Sequence, residues 1–209
     1  MSKRIEQTLA ALETNRFLPY LADDTSHAAE IILSEIIPEL APGVVSYGDS
    51  MTLMETGVLE TFRHDPAIRF IDTFEPGVDR ATILQRRREA LLADLFLTGT
   101  NALTMDGKLV NLDMVGNRVA GLVFGPTDVI VTVGTNKIVK NTDEAVKRIR
   151  EQAAPLNAKR HNTATPCAKT GKCQQCKSPE RICNVWTIME KSWPEGRIRV
   201  VLIDQELGL

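Results

Sequence analysis

The sequence has no long apolar run, no excess of either charge and no cysteine outside one short segment, and each lack narrows what the chain can be. No stretch approaches the roughly 20 consecutive apolar residues needed to cross a bilayer. The opening residues Met1-Ser2-Lys3-Arg4-Ile5-Glu6 start an amphipathic helix, with none of the apolar core of a signal peptide after them. Net charge is only −2, from 25 Lys and Arg against 27 Asp and Glu. That balance exerts no pull on nucleic acid or anionic lipid, so neither is expected as a partner. A cytoplasmic, reducing location is the resulting expectation, and there clustered thiols favour metal over disulfides.

Several catalytic motifs are missing as well. No G-x-G-x-x-G follows a strand, and no G-x-x-x-x-G-K-S/T is present, which removes the dinucleotide fingerprint and the P-loop. G-x-S-x-G is absent and Ser50 has no recognisable histidine partner, so acyl hydrolysis is disfavoured. His27 and His64 read as surface residues, and the run Arg86-Arg87-Arg88 as a solvated helix face. Repeats and low-complexity linkers are also lacking.

What remains is an ordinary globular composition, 43% hydrophobic and 25% charged over 209 residues, enough for one domain. Ile5, Leu9, Leu12 and Phe17 mark an amphipathic helix over about 3–17. Asp24-Thr25-Ser26 caps a second helix, ended by Pro38 and Pro42-Gly43. Short strands are expected at 44–47 and 68–72, a helix at 77–90, and a strand at 91–97. Residues 109–113 read as an extended arm, and 116–124 as a buried helix stopped by Gly125-Pro126. Val129 to Val133 is a continuous β-branched run, as a parallel strand covered on both faces requires. Asn141 and Glu144 resemble a capping box for a helix over 142–153, and 197–204 is a last strand. Strands alternating with helices predict an α/β three-layer αβα sandwich with a mostly parallel sheet. The chain is thus a single domain over 1–209, with 155–195 a cysteine-rich excursion before the last strand.

Three strand ends carry related turns: Gly48-Asp49-Ser50, Gly99-Thr100-Asn101 and Gly134-Thr135-Asn136-Lys137. In open α/β sheets ligands sit beyond the carboxyl ends of the strands. Gly99, Thr100, Asn101, Gly134, Asn136 and Lys137 are therefore candidate ligand contacts, Lys137 supplying a cation. Asn117 and Arg118, at a helix start after Gly116, are further candidates. Together they predict a site for a small anionic molecule, against the plain alternative that such residues dominate turns everywhere.

All four cysteines lie in Cys167-x5-Cys173-x2-Cys176-x6-Cys183. The x2 spacing lets two sulfurs meet one metal centre, and Lys169, Lys172, Lys177 and Arg181 offset thiolate charge. Four thiolates suit either a [4Fe-4S] cluster or tetrahedral zinc, although zinc favours paired C-x2-C knuckles and only one pair is present. His161 is an outside candidate ligand.

The stretches Phe96-Leu97-Thr98-Gly99-Thr100-Asn101-Ala102, Asp106 to Asn111 and Gly116-Asn117-Arg118-Val119-Ala120 resemble the LUD family of lactate-utilisation proteins, the DUF162 type. Gly125-Pro126, Val129 to Val133, Asn136-Lys137-Ile138-Val139 and 154–160 extend the resemblance over nearly the whole chain. It implies a fold similar to ribose-5-phosphate isomerase and the CoA transferases, and the four-cysteine motif would mark a subgroup. In such isomerases a Gly-Ala-Asp loop places a carboxylate, whereas here Gly99-Thr100-Asn101 presents an amide that cannot act as a general base. Asp106 and Asp113 are the nearby carboxylates. The resemblance implies an iron–sulfur redox component assisting oxidation of lactate or a related hydroxy acid. The chain has no flavin or nicotinamide motif, so a redox partner protein is expected to supply hydride chemistry, and a homodimer is one assembly left open. Two alternatives stand beside it: a sugar-phosphate- or CoA-type protein with structural zinc, and a regulatory or scaffold subunit of a redox complex.

Overall fold

The structure, a computed structural model, describes residues 2–209. Among the described residues there are ten strands: β1 Leu18–Ala22, β2 Val44–Tyr47, β3 Arg69–Ile71, β4 Leu95–Gly99, β5 Ala102–Thr104, β6 Leu109–Asp113, β7 Asp128–Gly134, β8 Ile138–Val139, β9 Val185–Met189 and β10 Ile198–Ile203. Six form one sheet in the order β1-β10-β7-β4-β2-β3, and every pairing in it is parallel.

Side-chain alternation divides this sheet between two cores. Val45, Leu95, Leu97, Ile130, Val201 and Ile203 face one layer, built from helix Thr25–Glu30, the π-helical turn Ile31–Ile36 and helix Val58–His64. Phe96, Val129, Val131, Val133, Val200 and Leu202 face the other, with Ile5 and Leu12 of helix Lys3–Thr14 and Leu122 of helix Asn117–Val123. These three layers are the αβα sandwich expected from the strand–helix alternation.

The second layer also holds a smaller sheet, β8-β5-β6-β9. The stretch expected as an extended arm is its strand β6, antiparallel to both β5 and β9. Most of the predicted excursion therefore has a frame. It begins inside helix Ala154–Arg160 and returns through β9, whose register with β6 runs from Leu109↔Met189 to Asp113↔Val185.

Some boundaries differ from the sequence reading. The first helix ends at Thr14, because Arg16 adopts a left-handed conformation and the chain turns into the edge strand β1, which periodicity missed. The strand expected from Leu91 starts at Leu95. Residues Ala90–Leu92 form a 3-10 turn with Leu92 85% exposed, and the Asp94 carboxylate instead accepts the backbone N–H groups of Gly43 and Val44.

Candidate functional site

The register of the parallel sheet brings three strand ends to one edge: Tyr47 pairs with Leu97, Gly99 with Thr132, and Gly134 with Ile203. Past that edge lies a cavity of about 390 Å³. Asp49 and Ser50 line it from the β2 end, Gly99 to Asn101 from β4, and Lys137 from the turn after β7. Asn117 and Arg118 contribute from the helix that starts after Gly116. Ile149 and Ala153, on the π-helical turn Ile149–Ala153, form an apolar side.

The candidate residues do different jobs. Arg118 is buried, and its guanidinium is occupied by protein acceptors. One nitrogen donates to Gly99 O at 3.1 Å and Asn111 Oδ1 at 2.6 Å, the other to Asn101 Oδ1 at 2.9 Å and Leu112 O at 3.1 Å. Its Nε lies 3.4 Å from Asp113 Oδ2. Arg118 thus fastens the Gly99–Asn101 loop to β6 and leaves little of itself for a ligand. Asn101 accepts through Oδ1 from Leu112 N and Arg118, so its amide nitrogen is the atom with spare capacity. Thr100 Oγ1 is directed to the carbonyls of Ala102 and Val110.

Gly134 and Asn136 do not line the cavity. Asn136 exchanges both amide atoms with the backbone of Leu207, and Thr135 N donates to Gln205 O at 2.9 Å. A Cβ on Gly134 would fall 2.8 Å from Gln205 O and 2.9 Å from Leu207 N. This turn clasps the chain's last residues, and Leu209 in turn lines the cavity. Lys137, 5% exposed, is the member of the group that does face the cavity with an ionisable group. Its Nζ donates to Thr52 Oγ1 at 2.8 Å. Burial, with Arg148 and Arg118 close by, lowers the amine to about 7 despite the opposing pull of Glu55.

Arg87 belongs to this site although the arginine run reads as solvated. Arg86 pairs outward with Glu75, whereas Arg87 turns onto the face of Phe74, 4.9 Å from the ring centroid, and lines the cavity. Its Nε is buried without a hydrogen-bond partner, and burial lowers its pKa. Ile83, Arg87 and Ala90 stand at helical spacing on the less exposed side of helix Arg80–Glu89 and the turn that follows, although no residue of that helix is fully buried.

Asp49, Arg160 and His161 form a third group on the wall. Arg160 Nη2 donates to Asp49 Oδ2, and His161 Nε2 lies 3.2 Å from the same oxygen. Burial disfavours the Asp49 carboxylate, but the hydrogen bonds from His161 and Arg160 outweigh it and hold the group at about 2. His161 is engaged here, by a residue 112 positions earlier, which no sequence spacing announces.

The cysteine segment closes one side of the same cavity through Ile182 and Cys183. Cys167 is buried in a small separate cluster with Ala158 and Ile182. All four cysteines are free thiols. Arg181 spans the motif, donating to Cys176 O at 2.9 Å and Cys183 O at 2.8 Å. Between Cys173 and Cys176, Gln175 adopts a left-handed conformation (φ 47°) that non-glycine residues seldom hold. Burial, reinforced by the neighbouring Cys173 and Cys167, pushes the Cys183 thiol up to about 11. The donor chemistry suits a soft metal. Yet among the described residues no three His, Cys, Asp or Glu side chains converge closely enough to hold one ion, so ligation requires the thiols to draw together.

Comparison with known proteins fits this architecture. A family model described as LUD domain matches residues 5–203. A crystal structure of a DUF162 family protein from Deinococcus radiodurans is similar at a TM-score of 0.55 and 15% identity, over 97% of this chain and 99% of that one. At that identity the likeness concerns the fold. No curated protein matches.

Proposed function

The chain belongs to the LUD domain family, and from that premise we propose that it is a redox-linked component in the oxidation of lactate or a related hydroxy acid. In this reading the cleft binds the small anionic acid, and the cysteine segment carries a [4Fe-4S] cluster, with zinc as the alternative. The four-cysteine motif then marks a subgroup of the family. The scaffold is that of the ribose-5-phosphate isomerases and CoA transferases, without the isomerase carboxylate, since Asn101 stands in the loop after β4.

One observation carries the reading: Cys183 and its neighbour Ile182 line the same cavity as Arg87 and Lys137. A redox centre held there would sit against the bound acid. The chain's own residues supply binding and placement. Arg87 offers a guanidinium free of ion pairs among the described residues, Lys137 a second nitrogen, and Asn101 and Asn117 neutral donors. A cluster, when bound, would contribute one-electron transfer. The sequence holds no dinucleotide fingerprint, so hydride chemistry belongs to a partner protein, met in the cytoplasm by a monomer or a homodimer.

Protein purified without oxygen should contain iron and acid-labile sulfide and show a broad visible absorption that dithionite bleaches. Cys183→Ser should lose that colour. Colourless protein with one equivalent of zinc would remove the redox role and favour a sugar-phosphate or CoA-type ligand over structural zinc. The unpaired cations of the cleft suit such a ligand too, and inorganic phosphate or an acyl-CoA would then raise the melting temperature.

A further inference from the structure

Offering a nitrogen to a bound acid does not use all the chemistry of one buried group of the cleft, the amine of Lys137. The charged groups facing it come from three elements: Arg148 from helix Thr142–Arg148, Arg118 from helix Asn117–Val123, and Glu55 from helix Met51–Glu55. None forms an ion pair with it among the described residues, and its one hydrogen bond is to Thr52 Oγ1. The Thr52 hydroxyl in turn donates to Leu207 O at 3.3 Å. Its hydrogen is spent there, so it accepts from the amine and cannot cap the nitrogen lone pair. With the amine lowered to about 7, a large share is unprotonated at neutral pH. A desolvated amine next to other cations is an activated nucleophile for carbonyl groups. The same cations draw a carbonyl compound that also carries negative charge. A second buried nitrogen, Nη2 of Arg148, has no hydrogen-bond partner and adds to that positive potential.

We propose that Lys137 is a nucleophile that condenses with the carbonyl carbon of a 2-oxo acid bound in the cleft, forming an imine. This rests on the hydroxy-acid reading above and concerns the oxidised partner of that acid. Nζ attacks the carbonyl carbon and a C–N bond forms. The C–O bond breaks, and the oxygen departs as water with the two amine hydrogens. No electrons change hands.

The test uses full-length protein, pyruvate and sodium cyanoborohydride near pH 7, followed by peptide mass spectrometry. A carboxyethyl group should appear on Lys137 at least about tenfold faster than on the exposed Lys140 and Lys147, which stand in solvent outside the cleft. Lys137→Arg should lose this adduct and keep the slow surface ones. Labelling of Lys137 no faster than the surface lysines overturns the proposal. Thermal stabilisation by lactate, measured in parallel, separates the two ideas. Stabilisation without a Lys137 adduct sinks the imine and spares the binding site, whereas absence of both sinks the two together.

Discussion

Arg87 and Lys137 are both basic groups without an ion pair among the described residues, and burial works against the charged form of each, but only Lys137 loses its proton in the working pH range. Among the described residues Arg87 makes no hydrogen bond, and its guanidinium rests on the ring of Phe74. Arg87→Met should therefore leave the melting temperature nearly unchanged while weakening binding of lactate or phosphate about tenfold or more, the worth of one charge-assisted hydrogen bond. Equal affinity in the variant by calorimetry would take Arg87 out of the site. Lys137 is different because its ionisation is coupled to folding. Its amine titrates at about 7 in the fold against an ordinary 10.5. Between those values the unfolded chain holds a proton that the folded chain has released, so stability rises with pH across that window. Below about pH 7 the penalty of a buried ammonium is present in full. Lys137→Met should flatten this slope and raise the melting temperature at pH 7 by about 3 °C or more, and denaturant titrations from pH 6 to pH 10 read it directly. Asp49 runs the other way. Its carboxylate, held at about 2, stabilises the fold above the ordinary carboxylate range, and that contribution is lost as pH falls through about 2.

The smaller sheet is what turns loops into a cleft. Its β5–β6 hairpin turn packs on the end of the first helix, where Asn15 Nδ2 donates to the carbonyls of Asp106 and Gly107. Gly107 has a φ of 78°, and a Cβ there would come within 2.7 Å of backbone at Ala11. Gly171 is equally left-handed but has open space around it. Gly107→Ala should cost about 1–3 kcal/mol more than Gly171→Ala in denaturant unfolding, since it adds a backbone collision to the conformational strain. From β6 the sheet continues to β9, the one strand that anchors the far end of the cysteine segment. Residues 163–184 hold one short helix, Pro166–Thr170, and a small cluster in which Cys167 and Ile182 pack on Ala158 of helix Ala154–Arg160. Their amides should exchange faster than those of β7 and β10. Reconstitution with iron and sulfide under reducing conditions should slow exchange in 163–184 alone. Uniform slowing across the chain would mean that metal stabilises the whole fold instead.

The whole molecule combines a stable scaffold with a less constrained wall. The two main cores face the parallel sheet and exclude the cysteine segment, so global unfolding is governed by residues such as Ile130, Phe96 and Val201. Removing metal with a chelator should shift the main unfolding transition by no more than about 2 °C, while the Cys183 side of the cleft loses order. A large drop would show that the segment is part of the cooperative fold. The sandwich itself was legible in the chain because continuous β-branched runs such as Val129 to Val133 fit only a strand covered on both faces. The turns after those strands were legible for the same reason, since their glycines and amides interrupt the apolar pattern. The cysteine spacing leads only to a proposal of soft-ligand chemistry, since among the described residues no three donors converge on one point. Function within the turns was not legible. Gly134 and Asn136 resemble ligand contacts in sequence, but Asn136 holds Leu207 and Gly134 leaves room for the passing backbone of Gln205 and Leu207, and Arg118 resembles an anion contact but is spent on Asn101, Asn111 and Gly99. Asp49 meets Arg160 and His161 across more than a hundred residues, and Cys183 meets the strand-end cleft. Periodicity and spacing report local geometry, so they fix which face of an element is buried. Which donors are already satisfied, and which distant groups share one low-dielectric cavity, depends on packing between elements, and only the tertiary structure decided it.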